Sequence, residues 1–127
     1  MTRYDPLTGP SLDYWRSLSE DEQIEQVLEY HRAARANVPN ERIHASLHVV
    51  VENQIALGDE TPVADTLERL MAEDLDRHEA LHAIASVLAR HITQLLQQSD
   101  VPDGDPNTPY YEGLRTLTAE TWRAQAD

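Results

Sequence analysis

Apolar residues in this chain recur three and four positions apart in four successive stretches, and each stretch stops at a break rich in proline, glycine, asparagine or aspartate. That spacing matches an α-helix with one buried face. The first stretch opens at Ser19, with Glu22 at the capping-box position and Glu20 and Asp21 in the first turn. It carries Ile24, Val27, Leu28 and His31 on its stripe and breaks at Asn37-Val38-Pro39-Asn40. The second runs from Glu41 to Leu57, with Ile43, Leu47, Val50, Val51 and Ile55 expected inside and Gly58 just past the end. Its run Val49-Val50-Val51 would suit a strand, but the spacing around it is helical. Thr61 and Pro62 open a third helix as N-cap and first residue, burying Val63, Leu67, Leu70, Met71 and Leu75. Asp76 caps the fourth and longest, which extends through Leu81, Ile84, Leu88, Ile92 and Leu95 to Ser99.

Composition agrees with helices packed on helices. Apolar residues make up 40% of the 127 residues, aromatics only 6%, and there is no Phe, so Leu, Ile, Val and Ala must build the core. The expected fold is all-α: a single-domain bundle of about four main helices. Residues 1–18, with Pro6, Gly9 and Pro10 among Tyr4, Tyr14 and Trp15, read as an extended arm whose aromatics dock on the bundle. Residues 19–98 form the bundle. Residues 99–127 form a turn-rich linker, DVPDGDPNTP, and a docking segment whose short helix after Thr118 lays Leu117 and Trp122 on the core.

A formal charge of −13 with no basic stripe argues against nucleic acid and anionic membranes as partners. No stretch is apolar enough to span a bilayer, and the charged, proline-containing start MTRYDPLTGP lacks the run of a secretion signal. The expected location is the cytoplasm. Without cysteine there are no disulfides, thiolate metal sites or thiol nucleophiles, so any metal is held by nitrogen and oxygen.

The chemistry-bearing residues concentrate on two helices. His44 and His48 lie one turn apart, with Glu52 a further turn on, and His78 and His82 repeat the spacing within His78-Glu79-Ala80-Leu81-His82. Four imidazoles and a carboxylate would suit zinc, iron, manganese or nickel. Helical geometry places both pairs at the flank of the apolar stripe, giving a protected pocket that small molecules reach. A lone histidine such as His31 or His91 more often is a hydrogen-bonded core residue. The HEALH string fits the pattern of zinc proteases, in which Glu79 would be the general base, yet Glu79 also sits at N3 behind the Asp76 cap, on the solvent face. A di-iron carboxylate site would use Glu41 with His44 and Glu79 with His82, and needs inward glutamates that only Glu25, Glu29 and Glu68 offer.

The stretches Glu29-Tyr30-His31, IHASLHVVVENQ from Ile43 and RHEALHAIASVLA from Arg77 resemble the bacterial domain-of-unknown-function 1841 family over residues 20–98. The resemblance implies a helical fold and no particular reaction. By position it carries the family's paired histidines onto His44, His48, His78 and His82, with Glu52, Gln54 and His31 at matching places. Two functions fit these residues. One is a metalloenzyme in which the ion polarises a small-molecule substrate or activates water for hydrolysis or a related reaction. The other is a non-catalytic bundle, metal-stabilised or metal-free, that serves as an interaction or regulatory module, with a homodimer as one form.

Overall fold

Local capping chemistry sets most of the helix boundaries. Ser19 and Glu22 exchange reciprocal hydrogen bonds, the Ser19 amide to Glu22 Oε1 at 2.9 Å and the Glu22 amide to Ser19 Oγ at 3.2 Å. Asn40, in a left-handed conformation, accepts the Ile43 amide on its side chain, and Asp76 accepts the Glu79 amide at 2.7 Å. Asp74 adopts φ 77° and ends a helix, with the buried Leu75 returning its amide to Leu70 O at 3.2 Å.

The computed structural model describes residues 4–33, 40–97 and 105–126. All regular structure in them is helical: α1 (Leu12–Ser17), α2 (Glu20–Ala33), α3 (Glu41–Ala56), a 3-10 turn at Gly58–Glu60, α4 (Val63–Ala72), α5 (Arg77–Gln97), α6 (Thr108–Thr116) and α7 (Ala119–Ala126). No helix among the described residues is long and apolar enough to cross a membrane. The break at Asn37-Val38-Pro39 and the far end of the longest helix at Ser99 lie outside the described residues.

Two apolar clusters hold the helices together. One gathers Leu67 and Leu70 of α4, Leu81, Ile84 and Leu88 of α5, and Tyr110 and Leu114 of α6. The other joins Tyr4 and Trp15 to Ile24, Val27 and Leu28 of α2 and to Ala45 and Val49 of α3. Helix α3 lies between α2 and α5 and contributes to both clusters. The seam between the clusters is polar, and the histidines sit in it.

Three expectations are corrected. The N-terminal arm is not extended throughout: residues 12–17 are helical, and Trp15 is buried with its indole N–H donating to Asn53 Oδ1 at 2.8 Å. The C-terminal segment holds two helices rather than one, because Pro109 occupies the first turn of α6, where a missing N–H costs nothing. Ile43, Val50, Met71 and Ile92 were assigned to the core and are exposed, Ile43 at 58%. The buried face of α3 is turned toward Ala45, His48, Val49 and Glu52, so two polar residues occupy places the apolar pattern gave to Ile43 and Val50.

Candidate metal centre

Three helices direct five imidazoles at one another: His31 near the end of α2, His44 and His48 on α3, His78 and His82 on α5. One ring nitrogen from each of His31, His48, His78 and His82 lies within 4.8 Å of the others. His48 Nε2 is 3.0 Å from His82 Nε2, and His44 Nε2 is 3.2 Å from His31 Nε2. Tetrahedral bonds of about 2.0–2.1 Å put neighbouring ligand nitrogens about 3.3 Å apart, so these pairs already stand near coordination spacing. His44 belongs to the same ring cluster, 4.9 Å between centroids from both His48 and His82, but stands outside the tight four-nitrogen group.

The far side of two rings is tied to the protein. His31 Nδ1 lies 2.9 Å from the carbonyl of Val27. A carbonyl only accepts, so Nδ1 is the donor and Nε2 is the nitrogen left facing the cluster. His48 Nδ1 is 3.3 Å from the Tyr4 hydroxyl, which donates its own proton to Glu52 Oε2 at 2.7 Å. The phenol oxygen is therefore left to accept from His48 Nδ1–H, again freeing Nε2. Orienting hydrogen bonds of this kind are what metal-ligating histidines need.

Glu52, expected as an oxygen ligand, is placed elsewhere. Both its oxygens receive hydrogen bonds from Arg77, each at 2.8 Å, and its side chain is 1% exposed. It anchors Tyr4, and through Tyr4 it orients His48. Glu79 is exposed, away from the rings, with its amide on Asp76. Glu25, Glu29, Glu41 and Glu68 are exposed as well, so the inward glutamates of a di-iron site are not there. His91 is buried on the opposite part of α5, stacked on Tyr110 with centroids 5.7 Å apart. The donor set at the centre is thus all nitrogen.

Its electrostatics favour the uncharged form of His44, His48, His78 and His82. Burial pushes the His82 imidazole down to about 3, with the neighbouring His78, His44 and His31 adding to the shift. The same cause, burial first and adjacent histidines second, lowers His48 further and also lowers His44 and His78. Neutral imidazole is the form that ligates a metal. Burial and then the Glu52 charge raise the Tyr4 phenol, which keeps its proton. His78 Nε2 is buried and has no hydrogen-bond partner among the described residues. An orphaned buried nitrogen is costly unless something satisfies it.

The rings are flanked on two sides. Tyr30 meets His31 and His78 edge-on, and with Tyr4, Asp5 and Glu29 it lines a cavity of about 310 Å³. A second cavity, about 260 Å³, is lined by His44, His82, Leu47, Ala85, Ala89 and Trp122. Sequence reasoning singled out His44, His48, His78 and His82 through their pairing, and the structure brings them together. It gave less weight to His31, which has no partner on its own helix, and assigned no site role to Tyr4 or Arg77. Their only signals were an aromatic in a proline-rich segment and a basic residue beside His78.

The sequence pattern of one protein family, described as a domain of unknown function (DUF1841), matches residues 13–125. No curated protein and no solved structure matches the chain.

Proposed function

The chain belongs to the DUF1841 family of domains of unknown function, and we propose that it is a metal-binding protein whose divalent ion is held by His31, His48, His78 and His82. The observation that carries this reading is the approach of four ring nitrogens from three helices to within 4.8 Å of one another. Bringing four imidazoles together, two buried and two half-buried, costs desolvation and orients lone pairs at one another, and a cation at their centre offsets both. The orphaned His78 Nε2 and the fixed ring orientations of His31 and His48 support the same conclusion.

The donor set narrows the ion. Imidazole suits zinc, iron and nickel, whereas manganese prefers carboxylates, and Glu52 is committed to Arg77. Four imidazoles already complete a tetrahedral shell, so a small molecule arriving from the cavity at His44 and His82 would take a fifth position on the ion. When bound, the ion would supply a Lewis acid able to polarise an oxygen or activate water, as in a hydrolase-like reaction on a small molecule. The chain's own residues then fix the rings, exclude bulk water through Tyr4 and Tyr30, and admit a ligand past His44. A net charge of −13 argues against nucleic acid and anionic membrane surfaces as partners.

Elemental analysis of the untagged protein beside a His48→Ala, His82→Ala double variant tests the proposal. About one equivalent of metal in the parent, lost in the variant, is the expected result. Absence of metal from the parent even after reconstitution would overturn it and leave the rings as part of a metal-free interaction module.

A further inference from the structure

The cavity beside the rings has a chemistry of its own. His44 and His82 form its polar end, while Leu47, Ala85, Ala89 and Trp122 supply apolar walls. Its volume of about 260 Å³ lies just under the range of about 300–1,000 Å³ typical of sites for drug-sized ligands. Its occupant is therefore small. The Trp122 indole N–H, in a residue of that wall, is buried without an acceptor among the described residues. The remaining wall hydroxyl, Ser86 Oγ, already donates to Ala83 O at 2.7 Å.

We infer that this cavity takes a short aliphatic carboxylate, its oxygens turned to the end formed by His44 and the ion-holding His82 and its tail laid along Leu47, Ala85, Ala89 and Trp122. An anionic oxygen head suits the end where a divalent ion would face the cavity, and a tail of a few methylenes suits the walls. A larger polar ligand would find too little room there, and apart from His44, His82 and the Trp122 indole N–H few groups to hydrogen-bond. The opposite cavity fits such a molecule poorly, since Asp5 and Glu29 would repel the head. The inference rests on the proposed metal site, because the ion provides the contact for the head.

Cobalt(II)-loaded protein, with metal content checked by elemental analysis, is titrated with acetate and with hexanoate while the visible absorption of the cobalt is followed. Hexanoate should perturb the bands at a concentration at least tenfold lower than acetate. Ala89→Leu, which narrows the cavity without touching a ring, should abolish that advantage and leave cobalt binding and the acetate response intact. Trp122→Ala, which removes one wall, should also weaken hexanoate selectively, and it provides a second reading should the leucine variant fold poorly. If cobalt is retained but hexanoate and acetate act alike, or if neither variant changes the ratio, the cavity assignment is wrong while the metal site stands. If the parent takes up no cobalt, the metal proposal itself fails and takes this inference with it.

Discussion

Arg77 grips Glu52 through two hydrogen bonds of 2.8 Å, joining the start of α5 to the middle of α3 where both side chains are nearly out of water, 11% and 1% exposed. The pair adjoins the rings without touching them. Its role is to fix the register of α3 against α5, on which His48 and His82 depend. Glu52→Gln keeps the volume but leaves the guanidinium facing a neutral group. Breaking one side of such a buried pair typically costs about 3–5 kcal/mol. A loss at the lower end of that range is expected in urea unfolding of the metal-free protein, since the Arg77 guanidinium also donates to Pro6 O at 3.0 Å. Replacing both residues, as Glu52→Leu with Arg77→Met, should recover much of it.

Tyr4→Phe isolates the orienting hydrogen bond. The variant loses the acceptor for His48 Nδ1–H and the donor to Glu52 but retains the ring packed on Trp15 at 5.4 Å. Loss of a ligand-orienting partner usually weakens metal binding by about 10–100-fold. Competition against a chelator should show that drop. An unchanged affinity would mean that His48 is oriented by packing alone.

Stability of the metal-free protein should fall as pH drops below about 6.5, the ordinary histidine value. Folding lowers the affinity of these rings for protons, so below that pH the unfolded chain binds more protons than the folded one. The His82 contribution is complete above about 6.5 and declines as pH falls toward its folded value of about 3. Between pH 6.5 and 5.0 one such ring accounts for about 2 kcal/mol, and His48 acts in the same direction. Denaturant midpoints at pH 7.5 and 5.0 measure the difference. A His82→Ala variant should show a smaller one.

How much of this was legible depends on which physics wrote the signal. Ser19, Asn40 and Asp76 mark helix starts through side-chain capping, a local effect visible in a few adjacent residues, whereas α4 starts at Val63, one residue later than a Thr61 cap implies, with Pro62 at its N-cap. The i, i+4 histidine pairs were equally local. The face of α3 was only partly so, because its apolar stripe extended to Ile43 and Val50, which are exposed, and tertiary packing buries His48 and Glu52 beside the expected Val51. A polar seam can be recognised only when Tyr4, 48 positions away from Glu52, and Arg77, 25 positions away, are brought to it. The same distance in sequence hid His31: it gains its importance from rings on two other helices. Helix α6 was passed over because its Pro109 looked like the end of a linker, although proline also begins helices.

Gly113 fixes how closely α6 approaches α5, and its replacement tests that packing apart from the metal. A Cβ built there would fall 2.8 Å from Val87 Cγ1, well inside contact distance. Two effects oppose each other in Gly113→Ala. Alanine favours a helix interior by about 1 kcal/mol over glycine, while an overpacked methyl in a tight core costs about 1–3 kcal/mol. Val87 is a stiff, buried β-branched residue on a helix whose neighbours Ile84 and Leu88 are also buried, so it has little room to yield. Overpacking should win, with a net loss of about 1 kcal/mol and a fall of several degrees in Tm. In the Gly113→Ala, Val87→Ala double variant the clash is gone and the cost of overpacking should disappear, a non-additivity that a double-mutant cycle would expose. Additive losses would show that the two helices separate freely and that Gly113 is not the residue setting their distance.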